Sequence, residues 1–388
     1  MQIRMARRDE IDSLKNIWTY CFEDSQAYVD FYFDKKCDPT KVVVLEKDSE
    51  IISSIHLNQH RIRLGTSDFD TSYVVGVSTL PEARGLGKMG QLMEYSLAAM
   101  RSFGQSVSIL MPIDFRLYTK FGYTNAYDMK KIELDIFSLR KFKLQDEFSR
   151  ATSDQASQLK SIYDGFCSQQ NAYAIRNEDY FRDLVEEMDI DGGHIYIAYR
   201  GLTPVAYIVY SIDSGVFTVR ELYYRDRQAY ESILKFVFNH NTQAKKVVIY
   251  LAMSDPIMSM LDNPKDAICE IKNFMMARII DFESLIERLA IKSDSQEKFY
   301  LRVEDDYLDN NRGVFEIYTE DANVRLRRLN DDASYDLSID ISHLSSLIFS
   351  YRSIREVAFL SGKDVETLNS LKKILNLAVE NNHINEYV

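Results

Sequence analysis

The chain has 388 residues, of which 46% are hydrophobic and 27% are charged. This composition is ordinary for a soluble globular protein, and the length predicts two to four domains with ample material for buried cores. The formal net charge of −12, without a basic patch in the sequence, argues against a nucleic acid partner.

The first segment, to about residue 140, opens with a predicted helix and two predicted strands. Leu14, Ile17 and Trp18 are apolar at helical spacing, and residues 42–45 and 51–55 are β-prone runs on either side of a polar turn. A strand, a glycine-rich loop, a second helix and a further strand follow. This order predicts an α+β domain with a mixed sheet.

The glycine-rich loop is the most informative part of the sequence. It follows an apolar, β-branched run and a proline-containing turn, and the helical pattern behind it closes at Gly104. Glycine lets backbone N–H groups face a ligand without a Cβ atom in the way, and the N-terminus of a helix favours an anion. The loop is therefore a candidate phosphate site, with a simple tight turn as the alternative. Its residues are Arg84, Gly85, Leu86, Gly87, Lys88, Met89 and Gly90.

The loop lacks the Gly-Lys-Ser/Thr ending of the P-loop and the G-x-G-x-x-G order of dinucleotide-binding folds. It resembles the coenzyme A loop of the GNAT N-acetyltransferase superfamily, in which R/Q-x-x-G-x-G/A follows a strand and precedes a helix. Arg84 and Gly87 fill the first two defined positions, whereas Met89 departs from the third and Gly90 stands one residue later. The resemblance implies that the loop amides hold the pyrophosphate of acetyl-coenzyme A (acetyl-CoA).

A tyrosine segment further along the chain strengthens this resemblance. Residues 117–123 have the sequence Leu-Tyr-Thr-Lys-Phe-Gly-Tyr. In GNAT enzymes a tyrosine in the pattern Tyr-x-x-Phe/Leu-Gly-Phe/Tyr often protonates the departing thiolate, and Tyr118 takes that place. The chain has 25 tyrosines, and most are expected to be packing residues, so packing is the alternative role of Tyr118.

The second segment, from about residue 145 to 272, repeats the order of a helix, a strand pair, and a strand followed by a helix. The loop between its last strand and helix, residues 224–228, has no glycine and contains Asp226, which would repel a phosphate. We therefore predict a second copy of the same fold that has lost coenzyme binding. An unrelated α+β domain is the alternative.

The third segment begins near Met275 and combines short strands with helices. Amphipathic strands packed under such helices can enclose an apolar groove, and the stretches 301–305 and 310–315 resemble sterol-carrier-protein-like domains. The predicted elements are a helix at 282–289, strands at 299–303, 313–319, 323–329 and 335–341, and helices at 343–351 and 365–378.

Taken in order, the segments resemble the Eis (enhanced intracellular survival) family of acetyltransferases over nearly the whole chain. The predicted fold class is α+β (mixed α/β), with two tandem GNAT-like domains, the second degenerate, and a sterol-carrier-protein-like α+β domain. The predicted domains are a catalytic, coenzyme A-binding domain at 1–143, a degenerate domain at 144–273, and a third domain at 274–388 whose tail is directed to the active site.

The Eis resemblance also implies a substrate site. Phe22 and Asp24 match a Phe-x-Asp that borders the amine substrate in the family, so Asp24 would hold a substrate ammonium. A solvated carboxylate after a helix is the alternative for Asp24. The family places its terminal carboxylate among the catalytic groups, and Val388 keeps that carboxylate but lacks the aromatic ring common in relatives. A frayed chain end is the alternative there.

The implied reaction is the transfer of an acetyl group from acetyl-CoA to a small cationic amine, such as a polyamine, an aminoglycoside or a lysine-like substrate. An alkylamine with a pKa of about 10 must lose its proton, and the Val388 carboxylate would accept it or orient the amine. Strand amides around Val77, Ser78 and Thr79 would bind the thioester and stabilise the oxyanion. Tyr118 would act as the general acid.

Two other functions stay open. The chain could be a lipid or sterol carrier with GNAT-like scaffold halves, or an acyltransferase for a longer acyl-CoA, because N-myristoyltransferases share tandem GNAT folds. Intact Arg84, Gly85, Gly87 and Tyr118 favour the acetyltransferase, since a scaffold need not keep them together. The acidic surface either attracts a cationic substrate or serves solubility alone.

The remaining expectations concern metals, membranes and assembly. The six scattered histidines form no metal-binding pattern, and no stretch is apolar enough to span a membrane. The family implies a homo-oligomer, often a hexamer. We therefore expect a cytoplasmic homo-oligomer without a metal, a nucleic acid partner or a membrane span. Reduced thiols are expected at the four widely spaced cysteines, Cys21, Cys37, Cys167 and Cys269.

Overall fold

The chain divides into two compact units. The computed structural model describes residues 1–85, 87–293, 298–377 and 381–387. The first unit comprises Met1–Tyr127, Phe274–Asn382 and the end of the tail from Glu386, and the second comprises Asp128–Asn273 and His383–Asn385. The first unit therefore contains both the predicted catalytic segment and the predicted third segment. The boundaries at 143 and 273 stay predictions.

The predicted first segment forms a mixed sheet with helices. Strands β1 to β5 lie in sequence order; neighbours are antiparallel except for the parallel pair β4 and β5. The elements are β1 (Gln2–Met5), α1 (Ile11–Cys21), α2 (Gln26–Phe31), β2 (Val42–Lys47), β3 (Glu50–Leu64), β4 (Ser67–Thr79), α3 (Lys88–Ser102), β5 (Val107–Leu110), α4 (Arg116–Thr119) and β6 (Thr124–Asp135).

The helices of this sheet follow the apolar periodicity of the sequence. α1 buries Leu14, Ile17 and Trp18, which were predicted from their spacing. α3 contributes to a core that also contains residues of β2, β3, β4 and β5. Its buried residues are Leu92, Met93, Ser96, Leu97, Ala99 and Met100. This packing fixes the start of α3 beside the end of β4, where the glycine-rich loop lies.

The second unit repeats the topology of the first sheet, as predicted. Its strand order is β6-β12-β11-β10-β9-β7, and β11 and β12 are parallel, which makes them the counterpart of β4 and β5. The elements are β7 (Glu147–Arg150), α5 (Ala156–Cys167), β8 (Tyr173–Ala174), α6 (Glu178–Ile190), β9 (His194–Arg200), β10 (Thr203–Asp213), β11 (Val216–Tyr224), α7 (Arg227–Phe238), β12 (Lys246–Leu251) and α8 (Ile257–Met260). Strand β13 (Ile268–Ile279) begins in this unit, and its residues from Phe274 onward belong to the first unit, where β13 pairs with β5.

The third segment builds a four-stranded sheet inside the first unit, with the order β16-β15-β14-β17. Its elements are α9 (Phe282–Leu289), β14 (Phe299–Glu304), β15 (Gly313–Glu320), β16 (Asn323–Arg328), β17 (Leu337–Asp340), α10 (Ile341–Ile348), α11 (Ile354–Ser361) and α12 (Val365–Ile374). Helix α11 was not predicted. It buries Ile354, Val357 and Ala358, whereas Phe359 is 87% exposed and Leu360 is 51% exposed, so its apolar residues are divided between a buried and an exposed face.

Within the described parts of the chain, no helix combines the length and the apolar character needed to cross a bilayer. The four cysteines are free thiols. The described residues also contain no group of three or more side chains placed to hold a metal ion.

Candidate active site

The candidate site begins where β4 and β5 separate. The two strands pair in parallel from Thr71 with Val107 to Val74 with Leu110. β5 ends at that point, whereas β4 continues to Thr79. The last residues of β4 therefore keep backbone groups on this edge that a neighbouring strand does not use, and an extended ligand can bind there.

β4 also bulges next to this opening. Its register against β3 shifts between Ser54 and His56, so that Gly76 and Val77 together face the single residue Ile55. A bulge bends its strand and leaves the extra residue outside the regular ladder. The backbone amides at Gly76 and Val77 therefore depart from the regular ladder directly beside the opening.

Gly76 is required for the bulge in two ways. Its φ is +56°, a conformation that residues with a Cβ atom rarely adopt. A Cβ atom at this position would overlap the ring of Trp18 and lie 3.1 Å from Cδ2 of His56. The indole, the chain's single tryptophan, therefore packs directly on the glycine.

A cavity of 260 Å³ opens beside the end of β4. It brings together residues that the sequence predicted from three separate motifs: Phe22, Val77, Ser78, Thr79, Arg84, Met89 and Tyr118. It also contains residues to which the sequence reasoning gave no role in the site: Cys21, Ser53, Ile55, Leu92, Ile113 and Leu117. The placement of this set is a property of the fold rather than of any local pattern.

The glycine-rich loop leaves its backbone open. Gly85 has φ +76° and Gly87 has φ +68°, and a Cβ atom on either would meet no described atom within 4 Å beyond its chain neighbours. Helix α3 begins directly after Gly87, and none of the described side chains caps its first N–H groups. These N–H groups and the helix dipole can therefore bind an anion. Gly90 lies within α3, and Leu86 lies outside the described residues.

Two cations belong to this loop. The Arg84 guanidinium is exposed, and its Nε donates to the carbonyl of Thr79 over 3.0 Å, which ties the loop to the end of β4. Lys88 donates through Nζ to Oε1 of Gln91 over 3.1 Å on the surface of α3. Both side chains keep donors for a phosphate, since a guanidinium has five N–H groups and an ammonium has three.

The corresponding helix of the second unit is closed to an anion. The Asp226 carboxylate caps α7 and accepts from the Ala229 N–H over 2.9 Å. It also pairs with Arg200 over 2.9 Å. A negative side chain thus occupies the position that an open loop fills in the first unit, which agrees with the predicted loss of coenzyme binding in the second copy.

Tyr118 is presented to the cavity by the short helix α4. The residue is 4% exposed, and this burial raises the pKa of Tyr118 to about 12. Its phenol is therefore protonated at neutral pH and can donate a proton. The ring packs edge-on against Tyr123, whose hydroxyl lies 2.8 Å from Oγ of Ser108.

Phe22 and Asp24 follow α1 but differ in position. Phe22 lines the cavity, and its ring lies 4.8 Å from the ring of Trp18. Asp24 is exposed, and one of its oxygens accepts from Nε1 of Trp18 over 2.8 Å. The other oxygen is available to a cation. The cavity lining includes Phe22 but does not include Asp24.

The last described residues of the C-terminal tail, Glu386 and Tyr387, belong to the first unit. Val388, the predicted base, lies outside the described residues. Glu386 is 2% exposed; its carbonyl accepts from the Tyr73 hydroxyl over 3.2 Å, and its carboxylate lies 3.8 Å from Nε2 of His60. The ring of Tyr387 lies 5.2 Å from that of Phe274. The tail therefore reaches β4 next to the point where β4 and β5 separate.

A buried polar cluster lies on the other side of the bulge. His56 is fully buried, and its Nδ1 lies 3.0 Å from the Tyr32 hydroxyl, which donates to Oδ1 of Asn58 over 3.0 Å. Burial lowers the pKa of His56 to about 3, so the imidazole is neutral at physiological pH. His56 and His60 lie on β3 without forming a metal site among the described residues.

Comparisons with known proteins assign the domains to families. Models of the acetyltransferase (GNAT) domain match residues 2–126 and 172–279, and a model of the sterol carrier protein domain matches residues 282–383. The chain belongs to the GNAT acetyltransferases: it is an N-acetyltransferase with two GNAT domains followed by a sterol carrier protein domain.

Solved structures share this fold over the whole chain. An Enterococcus faecalis protein, described as a probable N-acyltransferase, has a TM-score of 0.88 at 19% identity, with 100% of this chain and 99% of that chain covered. A GCN5-related N-acetyltransferase from Anabaena variabilis has a TM-score of 0.85 at 19% identity, and Eis1 from Mycobacterium abscessus has a TM-score of 0.78 at 15% identity. Each of these two comparisons covers 100% of this chain and 100% of the other chain. No curated protein matches the sequence significantly.

Proposed function

We propose that this protein transfers an acetyl group from acetyl-CoA to the amine of a small cationic molecule, and that the reaction takes place in the cavity of the first GNAT domain. The observation that carries the proposal is the continuity of two features. The open N-terminus of α3 and the cavity containing Tyr118 share Arg84 and the end of β4. The proposed phosphate site and the proposed proton donor therefore belong to one site.

The glycine-rich loop is the proposed pyrophosphate site. The N–H groups at Gly85, Gly87 and the first turn of α3 would donate to the phosphate oxygens, with Arg84 and Lys88 as counter-charges. Acetyl-CoA supplies the acetyl group as a thioester. The bulged amides at Gly76 and Val77 lie at the end of β4, where they would stabilise developing negative charge on a carbonyl oxygen.

Tyr118 is the proposed general acid. A phenol with a pKa of about 12 stays protonated while the reaction runs near neutrality, and its burial in the cavity keeps competing water away. Tyr118 would give its proton to the leaving thiolate.

Asp24 is the proposed partner of a second positive charge on the substrate. One of its oxygens is held by Trp18, which fixes the carboxylate while the other oxygen faces outward. The net charge of −12 adds long-range attraction for a polycation. The predicted role of Val388 as the base or as an orienting group stays a prediction. A lipid or sterol carrier and an acyltransferase for a longer acyl-CoA stay the alternatives.

The test is the variant Tyr118→Phe, assayed by thiol release from acetyl-CoA with an amine panel. We expect kcat to fall about 10- to 1000-fold while the affinity for acetyl-CoA stays within about twofold, because only the proton donor is removed. Tyr127→Phe is the matched control. Tyr127 is 1% exposed, and its hydroxyl has no hydrogen-bond partner among the described residues, so kcat should not change. Full turnover by Tyr118→Phe at several pH values would assign Tyr118 to packing.

A further inference from the structure

We propose that the sterol carrier protein domain is a working part of the active site. Its Asp305 binds Arg278, and Arg278 holds the turn that presents Tyr118 to the cavity. Arg278 and Asp305 are thus positioning residues for the reaction. The proposal rests on the proposed role of Tyr118 as the general acid. In this proposal the third domain contributes to catalysis without binding a lipid.

In the third domain, the carboxylate of Asp305 is held by several hydrogen bonds in addition to those from Arg278. Arg278 and Asp305 are both 0% exposed at their side chains. Nη2 of Arg278 donates to both carboxylate oxygens of Asp305, over 2.7 and 2.6 Å. Asp305 also accepts from the N–H groups of Tyr307 (3.0 Å) and Leu308 (3.1 Å) and from Nδ2 of Asn311 (3.0 Å). The loop of the third domain therefore fixes the carboxylate before it binds the guanidinium.

At the other end, Arg278 holds the turn that follows α4. Its Nη1 donates to the carbonyl oxygen of Phe121. The N–H of Phe121 in turn donates to the carbonyl of Tyr118 over 2.9 Å, and the N–H of Gly122 donates to that of Thr119 over 3.0 Å. Gly122 has φ +79°, and a Cβ atom on it would overlap Nη1 of Arg278. The guanidinium thus lies directly against the turn.

A second set of contacts leads from Arg278 to the Tyr118 ring. β13 pairs with β5 so that Arg278 is opposite Ser108. Oγ of Ser108 lies 2.8 Å from the hydroxyl of Tyr123, and the Tyr123 ring packs edge-on against Tyr118. The backbone of Tyr118 is therefore held through the Arg278 side chain, and its ring packs on a residue that is bound to the strand partner of Arg278.

The energetics favour positioning over stability as the role of this pair. Burying two charges costs free energy that their attraction barely repays, and well-packed apolar residues would stabilise a core at least as well. A buried pair with several hydrogen bonds does specify one geometry. Since a catalytic group misplaced by about 1 Å can lower the rate about 100-fold, fixing the turn of Tyr118 has a direct effect on turnover.

The first test compares Asp305→Asn with the double variant Arg278→Met/Asp305→Asn. Asp305→Asn leaves Arg278 buried without its counter-charge and can impair folding. The double variant removes both charges and should fold, because Met fills the space of the arginine stem and the Asn oxygen still accepts from the N–H groups of Tyr307 and Leu308. We expect both variants, where folded by circular dichroism, to lose about 10- to 100-fold in kcat while KM for acetyl-CoA stays within about threefold.

The second test combines these changes with Tyr118→Phe. If the pair acts through Tyr118, the double variant should cause little further loss of kcat in the Tyr118→Phe background, because the group it positions is already absent. If the pair acts only on general stability, the two losses should multiply. Asp146→Asn in the second unit is the matched control; Asp146 is a buried carboxylate 3.0 Å from Arg200, and its loss should leave kcat unchanged.

The outcomes separate this proposal from the proposed function. Full kcat in the folded double variant, or losses that multiply with Tyr118→Phe, would overturn the positioning role while the acetyltransferase activity stands. Full kcat in Tyr118→Phe alone would instead overturn the acid role of Tyr118, whatever the double variant does. A loss of kcat in the double variant that disappears in the Tyr118→Phe background supports the proposal.

Discussion

The position of Gly87 makes the sharpest prediction about coenzyme binding. Gly87→Asp places a carboxylate beside the open N-terminus of α3, and Gly87→Asn places a neutral side chain of the same shape there. At φ +68° each of these side chains destabilises the folded protein by about 1 kcal/mol, and Asp and Asn tolerate this backbone conformation better than other side chains do. Neither meets a described atom within 4 Å at its Cβ, so both variants should fold.

The difference between the two variants is therefore a single charge. A carboxylate about 5 Å from one phosphate charge is repelled by about 0.8 kcal/mol in water and by about 3 kcal/mol at an effective dielectric constant of 20. Those energies correspond to about 4-fold and about 200-fold in affinity. We expect Gly87→Asp to bind acetyl-CoA about 4- to 200-fold more weakly than Gly87→Asn does. The affinity of Gly87→Asn should lie within a few-fold of that of the unmodified protein.

Isothermal titration calorimetry with acetyl-CoA measures this difference directly. The measurement should be made at low salt and near 1 M salt, because the Debye length falls from about 10 Å at 0.1 M to about 3 Å at 1 M. The difference in affinity for acetyl-CoA between the two variants should become smaller as the salt concentration increases. Equal affinities for Gly87→Asp and the unmodified protein would show that the coenzyme phosphates bind elsewhere.

Two further predictions concern Asp24 and His56. Asp24→Asn keeps an acceptor for Trp18 and removes the charge, so KM should rise about 3- to 30-fold for polycationic amines and less for monoamines in steady-state assays; an equal rise for both classes would contradict the ion pair. The pKa of His56 is about 3 in the folded protein and about 6.5 in the unfolded chain. The contribution of the neutral imidazole to stability is therefore complete above pH 6.5 and is lost as the pH falls toward 3. The loss is up to about 1.4 kcal/mol of unfolding free energy per pH unit. His56→Gln should therefore weaken the fall of the unfolding midpoint between pH 6.5 and 4; the same fall in both proteins would contradict the burial argument.

Helical periodicity and strand runs were enough to predict most of the fold. The apolar spacing in α3 predicted its buried face, and the repeat of strand pair and helix predicted the topology of the second unit. The bulge in β4 could not be predicted, because Gly76 is needed there for a contact with Trp18, a residue distant in sequence. Helix α11 was missed because its largest apolar residue, Phe359, faces outward.

The candidate site was predictable only where the chemistry is local. Glycines before a helix indicate an anion site, so the loop at Gly85 and Gly87 was found from the sequence. The cavity also needs residues such as Ser53 and Ile113, which no motif marks and which only the packing of α1, β3 and α4 brings to Tyr118. Contacts such as that of Arg278 with Asp305 join distant segments, and a single sequence carries no signal for them.

Acetyl transfer itself tests the central claim most directly. The full chain is incubated with acetyl-CoA and, in separate reactions, a polyamine, an aminoglycoside and a lysine derivative; released thiol and the mass of the amine are followed together. We predict thiol release that depends on the amine, a product heavier by one acetyl group in equal amount, and loss of both in Gly87→Asp at low acetyl-CoA concentration. Amine-independent thiol release, or no acetylated product from any of these cationic amines, would contradict the proposed function.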